Sequence, residues 1–184
     1  MAEDFGDWLA RLATQSLPAG VGTAALGATM GAALMAKACR LTLAHQPLGG
    51  SARDMVEATL SLAEAQQAEL LCLASTDEDA YRAVFHSRGV PAGAPARDQA
   101  WQWATEVPIE VAEVCRALLN RLPDLSQACW PTVYVDLQIG GWLLETGVRA
   151  GLLAATKNLQ VWGNGSAAQP LQARIRALQE GQVD

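Results

Sequence analysis

The sequence has few of the groups that mark nucleic-acid-binding, membrane-surface or metal-binding proteins. Its 184 residues carry 13 Lys and Arg against 19 Asp and Glu, a formal charge of −6, and no basic cluster. A surface of that sign disfavours nucleic acid and anionic membranes as partners. There are only two histidines, His45 and His86, and neither has a His or Cys at ligand spacing. We therefore expect no metal site.

The four cysteines, Cys39, Cys72, Cys115 and Cys129, form no C-x-x-C pair, and each lies in an apolar segment. We interpret them as buried free thiols, as expected in a reducing compartment, rather than as disulfides. The acidic, amphipathic start MAEDFGDW differs from a basic signal peptide. These features predict a cytoplasmic protein.

Phe and Tyr are scarce, at two each, whereas Ala and Leu dominate. This composition favours helices over β-branched strands and predicts an all-α helical bundle. We expect a single domain, with a helical domain at residues 1–160 and a C-terminal helical extension of it at residues 161–184. Helical periodicity predicts helices near residues 5–15, 23–44, 51–74, 75–89, 96–122, 131–159 and 171–180.

Local signals set three of these boundaries. The sequence STDE at 75–78 is typical of a capping box and is expected to start the fourth helix. Pro108 is expected to kink or split the fifth helix, and Pro123 to end it. The segment 16–22, with two glycines, is expected to be a loop that opens into the second helix.

The longest uncharged run, 25 residues between Arg11 and Lys37, is long enough to suggest a membrane span. It is rich in Ala and Gly rather than Leu and Ile, and small residues recur at every fourth position. Such spacing lets two helix backbones approach closely. A second helix carries glycines in the same way, at Gly140, Gly141, Gly147 and Gly151. We predict two core helices that pack on each other or across a dimer axis, and we expect a homodimer.

Asp136 is the carboxylate of most interest, because Tyr134 is the only other ionisable residue between positions 131 and 144. A carboxylate in such an apolar stretch must be paired, have a raised pKa or face a cleft. The alternative is structural: Asp136 offsets the helix dipole, or pairs with an arginine such as Arg149.

Three other segments could contact a ligand. The loop at 18–22 exposes backbone N–H groups that suit a carboxylate or phosphate, although a tight turn between helices is the simpler interpretation. Asp77, Glu78 and Asp79 lie in the predicted first turn of a helix, where acidic residues usually offset the dipole. Glu106 shortly precedes a Val-Pro pair, where a broken helix would leave free carbonyls.

Together these segments resemble the cyclodeaminase/cyclohydrolase family, which includes the second domain of formiminotransferase-cyclodeaminase and free-standing methenyltetrahydrofolate cyclohydrolases. The resemblance covers about residues 4–159. FGDWLARLA at 5–13 is similar to the opening F-x-x-x-L-A helix, and PAGVGTAALGATMGAAL at 18–34 to P-G-G-G-S-V-A-A-L-A-G-A-L-G-A-A-L. DEDAYRAV at 77–84 resembles D-A-E-A-F-x-A-V, and ATEVPIEVA at 104–112 resembles A-T-E-V-P-L-E-V-A. Val135-Asp136 falls on an S-D pair, and Asn158-Leu159 on a closing N-L pair.

The resemblance implies a dimeric helical bundle with a folate cleft between the glycine loop and the helix that carries Asp136. Two reactions belong to the family: cyclodeamination of 5-formiminotetrahydrofolate, and hydrolysis of 5,10-methenyltetrahydrofolate to 10-formyltetrahydrofolate. Both pass through a tetrahedral carbon between N5 and N10. We expect hydrolysis, because a chain of this length has no formiminotransferase domain. The tetrahydrofolate derivative is the substrate, and no cofactor is implied.

By the same resemblance Asp136 would be the catalytic carboxylate. The glycine-loop N–H groups would hold the ligand, and Lys37 or Arg40 would meet its glutamate tail. The implied substrate-binding residues are Gly20, Gly22, Lys37, Arg40, Asp77 and Glu106.

The departures from the family pattern fall at these polar positions. AGVG at 19–22 replaces G-G-G-S, Val135 replaces a serine, and Ala154 replaces an asparagine. The alternative function is therefore a catalytically silent family member, a structural or regulatory subunit that binds a protein partner. A cleft lined by Gly20, Gly22 and Asp136 would favour the enzyme. A cleft filled by Val21, Val135 or Trp130 would favour the silent subunit.

Overall fold

A computed structural model describes residues 4–17, 19–163 and 166–180. This part of the chain forms seven α-helices and no strand, which confirms the predicted all-α class. The helices are α1 (Phe5–Thr14), α2 (Gly20–His45), α3 (Gly50–His86), α4 (Pro95–Leu119), α5 (Leu122–Ala128), α6 (Tyr134–Trp162) and α7 (Gln169–Glu180). Short 3₁₀ segments lie at Ser87–Gly89, Pro131–Val133 and Ser166–Ala168.

Four long helices build the core. α2 packs against α3 and α6, and α4 packs against the same two helices from the other side. The four enclose one cluster of buried aliphatic side chains, alanines and cysteines. α7 covers α4 and α6, so the C-terminal segment through residue 180 belongs to the same bundle. α1 buries none of its residues.

Glycines let α2 and α6 approach to backbone contact. A Cβ added at Gly31 would lie 2.7 Å from the carbonyl oxygen of Gly140, and one at Gly140 would lie 2.9 Å from that of Gly31. A Cβ at Gly147 would lie 2.5 Å from Sγ of Cys115 on α4. These distances leave no room for a side chain. The glycine-rich helices therefore pack on each other within one chain, as predicted, and these glycines give no support to a dimer.

Among the described residues, α2 is the one helix long and apolar enough to cross a membrane by length and composition. It lies between α3 and α6, and its residues Ala25, Ala28, Ala32 and Met35 are fully buried. Both observations fit the predicted core helix.

The predicted break at position 75 is wrong, because α3 continues from Gly50 to His86. Leu70, Leu73, Ala74, Asp77 and Ala80 form a buried stripe at helical spacing across the expected boundary. Packing of this stripe outweighs the local preference of Ser and Thr for a helix start. Asp77 is therefore an interior helical residue, not a first-turn one.

Three other boundaries also differ from the prediction. α2 begins at Gly20, so the last three residues of the expected loop, 20–22, are already helical, and Pro18 lies outside the described residues. Pro108 does not split α4. The chain after the expected stop at Pro123 forms α5, because a proline at a helix start lacks only an N–H that has no partner there.

All four cysteines are free, as expected, but they are not all buried. Cys72 is exposed on α3, which corrects that part of the prediction. Burial raises the pKa of Cys39 and of Cys115 to about 12, so both thiols stay protonated and unreactive near neutral pH.

Candidate functional site

Three core helices enclose a cavity of about 360 Å³, called here the α3–α4–α6 cavity. Its chemically useful side chains are Asp77 and Tyr81 from α3, Arg88 from the 3₁₀ segment that follows α3, Arg97 and Trp101 from α4, and Asn158 from α6. Val84, Ala104, Val161 and Ser87, whose hydroxyl donates to the Val84 carbonyl at 2.8 Å, complete the wall.

The helix directions place these groups in order along the cavity. α3 and α4 are consecutive packed helices joined by a short connection, and so they run antiparallel. α6 is antiparallel to α4, because Asn158 contacts Ala104 while Trp162 contacts Asp98. One end of the cavity therefore holds Asp77 and Asn158, and the other holds the two arginines.

Asp77 is the buried carboxyl of the site, with 9% of its surface exposed. Its Oδ2 accepts the backbone N–H of Gly22 at 2.9 Å, which ties α3 to the first turn of α2. A Cβ at Gly22 would lie 3.0 Å from the carbonyl oxygen of Ala74 and 3.4 Å from Asp77 Oδ2. Gly22 thus allows the close approach that this hydrogen bond needs.

Burial raises the pKa of the Asp77 carboxyl above its ordinary value. The N–H of Gly22 acts in the opposite direction, and the neighbouring charge of Glu78 raises the pKa further. A carboxyl with a raised pKa in a cavity is a candidate for accepting and returning a proton.

Asn158 is held in place by a defect in α4. Pro108 has no N–H to donate to the carbonyl of Ala104, four residues earlier. Asn158 Nδ2 supplies the missing donor to that carbonyl at 2.6 Å. α6 can come this close because residue 151 is a glycine. A Cβ at this position would lie only 2.3 Å from the Pro108 carbonyl oxygen. The proline, the glycine and the asparagine therefore form one packing unit that fixes the amide at the cavity wall.

Both arginines of the cavity are held by contacts on their own side of the bundle. Arg97 Nη1 donates to the carbonyl of Val90 at 3.1 Å. The Arg88 guanidinium lies over the Phe85 ring, 4.6 Å from its centroid. Such contacts reduce the conformational freedom that a ligand would otherwise have to restrict.

Asp136 lies outside this cavity. Its Oδ2 accepts a hydrogen bond from Lys37 Nζ at 2.7 Å in a partly exposed ion pair. Lys37 follows Gly22 by fifteen residues on α2, which is about 22 Å along a helix. The expected cleft between the glycine segment and Asp136 is therefore not formed within one protomer. The partner of Asp136 is Lys37 rather than an arginine.

The other predicted binding residues are also dispersed. Arg40 pairs with Glu64, so neither it nor Lys37 lines the cavity. Glu106 accepts a hydrogen bond from Gln102 Nε2 at 2.8 Å and is likewise absent from the cavity wall. Gly20 is exposed, with nothing within 4 Å of an added Cβ. Of the predicted set, only Asp77 lines the cavity, and Gly22 holds it.

The cavity also contains five residues that the sequence does not predict as site residues: Tyr81, Trp101, Arg88, Arg97 and Asn158. Tyr81 and Asn158 lie within two of the family motifs, so those motifs could have indicated them. Arg88 and Arg97 flank the predicted loop between two helices, a placement that a helical hairpin brings together.

The residues expected to fill a cleft in a silent protein do not enter this one. Val135 is exposed, Trp130 packs on the His45 ring with centroids 4.6 Å apart, and Val21 packs against the core. None of the three lines the α3–α4–α6 cavity. In the described part of the chain, no group of three or more His, Cys, Asp or Glu is arranged to hold a metal ion.

The fold and the site together define the class of protein. It is a single all-α domain with a buried carboxyl in a cavity of the size that binds small molecules. The fold matches that of formiminotetrahydrofolate cyclodeaminase from Thermotoga maritima, with a TM-score of 0.87 at 16% identity, over 97% of this chain and 89% of that one. At that identity the likeness shows the fold alone. Methenyltetrahydrofolate cyclohydrolase from Methylorubrum extorquens is 28% identical over 171 residues, which are 89% of this chain and 79% of that protein. The family model described as formiminotransferase-cyclodeaminase matches residues 2–177, and the chain belongs to this family, as the resemblance predicted.

Three of the family motifs meet at the cavity. DEDAYRAV supplies Asp77 and Tyr81, ATEVPIEVA supplies Ala104, and the N-L pair supplies Asn158. The glycine segment contributes through the N–H of Gly22, which holds Asp77. The pair at 135–136 is absent from the cavity wall.

Proposed function

We propose that this chain hydrolyses 5,10-methenyltetrahydrofolate to 10-formyltetrahydrofolate in the α3–α4–α6 cavity. The observation that carries the proposal is the convergence of three distant motifs on one cavity that contains a buried carboxyl. The cavity volume lies in the range typical of small-molecule sites. The 28% identical relative named as a methenyltetrahydrofolate cyclohydrolase supports the choice of reaction.

The reaction adds water to the cationic carbon that bridges N5 and N10. The resulting tetrahedral carbon then loses its bond to N5, which leaves the formyl group on N10 and a proton on N5; one proton is released overall. Asp77 as a carboxylate stabilises the cation and takes a proton from the attacking water. As a protonated acid it returns that proton to the departing N5. A raised pKa suits both steps, because the carboxyl must change protonation state in each cycle.

The remaining cavity groups position the ligand. Tyr81 and Trp101 offer aromatic surface to the planar parts of a folate. The Asn158 amide nitrogen is committed to the Ala104 carbonyl, so its orientation is fixed and its oxygen can accept a hydrogen bond from the ligand.

The experiment follows the loss of methenyltetrahydrofolate absorbance with purified protein against the spontaneous reaction. A protein-dependent rate that saturates with substrate supports the proposal. A rate equal to the background contradicts it and favours the silent subunit instead. The same preparation is given 5-formiminotetrahydrofolate, because cyclodeamination passes through a tetrahedral carbon at the same position. Faster release of ammonia than hydrolysis would assign the cavity to that reaction.

We also propose that the chain forms a homodimer through the outer face of α6. Val135, Trp142 and Leu153 are 66%, 63% and 65% exposed and recur at helical spacing, with Ile139 between the first two. Val135 and Leu153 lie about 27 Å apart along the helix. An apolar face of this length is typical of an interface. The Lys37–Asp136 ion pair lies at the first turn of α6, next to Val135. It carries one charge of each sign, which suits contact between two identical copies.

A further inference from the structure

The α3–α4–α6 cavity has charges of opposite sign at its two ends. The buried Asp77 lies at one end, and Arg88 and Arg97 lie at the other. Asp77 lies on α3 about 14 Å along the helix axis from its last residue, His86, and Arg88 lies in the 3₁₀ segment that follows. Tyr81 and Trp101 lie between these ends. The cavity is therefore shaped and charged for an elongated ligand with a cationic end, an aromatic middle and an anionic end.

The two arginines have hydrogen-bond donors that the described part of the chain does not pair with a carboxylate. Within residues 4–17, 19–163 and 166–180, neither Arg88 nor Arg97 forms an ion pair with a carboxylate, although the chain has 19 acidic residues. By contrast, Arg53, Arg82 and Arg174 all pair with a glutamate. A guanidinium offers five N–H donors in a planar fork that matches a carboxylate. Arg97 donates from Nη1 to the Val90 carbonyl, and its other N–H donors can still bind a carboxylate.

We infer that Arg88 and Arg97 are specificity-determining residues that bind the tail carboxylates of an aromatic N-acylglutamate, the chemistry at the anionic end of a folate. The inference rests on the proposed function and assigns a direction to the ligand, with its reacting carbon at Asp77. It replaces the sequence-based expectation that Lys37 or Arg40 meets the tail. Those two cations are paired with Asp136 and Glu64 and lie outside the cavity wall.

The test measures binding separately from turnover. The probe is p-aminobenzoylglutamate, which has the aromatic ring and both carboxylates but no reactive carbon. p-Aminobenzamide, which lacks the carboxylates, is the matched ligand control. Calorimetric titrations use wild type, Arg88→Gln, Arg97→Gln and Arg97→Lys. Arg53→Gln is the matched protein control, since Arg53 is exposed at the far end of α3 and pairs only with Glu57 among the contacts described. Circular dichroism confirms that each variant retains its helices.

Each Arg→Gln change is expected to weaken p-aminobenzoylglutamate roughly 10-fold or more, as for the loss of a charge-assisted hydrogen bond. Binding of p-aminobenzamide should not change, Arg53→Gln should bind both ligands like wild type, and Arg97→Lys should recover part of the loss. In turnover assays the same variants should raise KM by a similar factor with kcat within about twofold, since uniform binding energy is lost.

Unchanged affinity in both Arg→Gln variants would overturn the inference, even if the wild type is fully active. Arginine-dependent binding of p-aminobenzoylglutamate by a protein without turnover would support the tail site while contradicting the proposed hydrolysis. A wild type that neither binds the probe nor turns over substrate contradicts both.

Discussion

The backbone N–H of Gly22 donates a hydrogen bond to Oδ2 of Asp77 at 2.9 Å, and this contact joins the start of α2 to the middle of α3. The glycine segment and the DEDAYRAV segment are more than fifty residues apart in the chain. Their contact gives a structural reason for a glycine at the start of α2 beside this acidic motif. The glycine N–H orients a carboxyl that lines the cavity.

The Asp77 carboxyl makes stability depend on pH in a defined direction. Because its pKa is raised in the folded protein, the folded state holds this proton more tightly than the unfolded state does. The resulting stabilisation is fully present below the unfolded pKa and is lost as pH rises through the folded pKa. Asp77→Asn retains an acceptor for Gly22 and cannot titrate. The free energy of unfolding of wild type minus that of Asp77→Asn should therefore fall as pH rises above the ordinary Asp pKa of about 4 and through the raised pKa of Asp77. Urea denaturation measures it, and a difference that rises with pH contradicts the assignment.

Gly22→Ala tests whether the close approach of α2 and α3 is required. The new Cβ would lie 3.0 Å from a backbone carbonyl that cannot move freely, so a loss of about 1–3 kcal/mol is expected. Gly27→Ala on the same helix is the matched control, because nothing lies within 4 Å of its Cβ. That change should stabilise the protein by about 0.5–1 kcal/mol through helix propensity. Thermal and urea unfolding report both values, and equal effects at the two sites would count against the geometry.

The Asn158 amide and Pro108 form a pair suited to a double-mutant cycle. Asn158→Ala leaves the Ala104 carbonyl without its donor and should cost about 1–3 kcal/mol. Pro108→Ala restores a backbone N–H four residues after that carbonyl. In the Pro108→Ala background, Asn158→Ala should therefore cost less, by about 1 kcal/mol. Strict additivity of the two changes would show that Asn158 does not act through this carbonyl.

The homodimer proposal depends on the exposed face of α6. Trp142→Glu puts a charge near the middle of that face and should convert a dimer to a monomer, since burying an unpaired charge is unfavourable. Ala58→Glu, on the exposed side of α3, should leave the mass unchanged. Light scattering at micromolar concentration gives the answer. A wild-type protein with the mass of one chain rules out the interface.

The fold could be predicted from the sequence because its helices are strongly patterned. Ala, Leu and small-residue spacing identified α2 and α6 and their close packing, and the family motifs identified the bundle. The prediction for the interior of α3 is wrong because STDE at 75–78 has the local chemistry of a helix start. Only tertiary packing of Leu73, Asp77 and Ala80 makes it an interior segment.

The candidate site was harder to predict, because it depends on how helices from distant parts of the chain are registered. The sequence ranked Asp136 above Asp77, since a lone carboxylate in an apolar stretch looks buried. In the protein Asp136 lies at a helix start with a lysine beside it, whereas Asp77 is buried. Arg88 and Arg97 belong to no recognised motif, and only the antiparallel pairing of α3 and α4 brings them together.

The most direct test of the role of Asp77 compares rates of 5,10-methenyltetrahydrofolate hydrolysis among four proteins. They are wild type, Asp77→Asn, Asp136→Asn and the exposed control Asp54→Asn. We predict that wild type exceeds the spontaneous rate, and that Asp77→Asn loses about 100-fold or more in kcat, as for a general acid–base residue. We also predict that Asp136→Asn and Asp54→Asn stay within about threefold of wild type. An Asp77→Asn variant as active as wild type, or a loss confined to Asp136→Asn, would contradict the account.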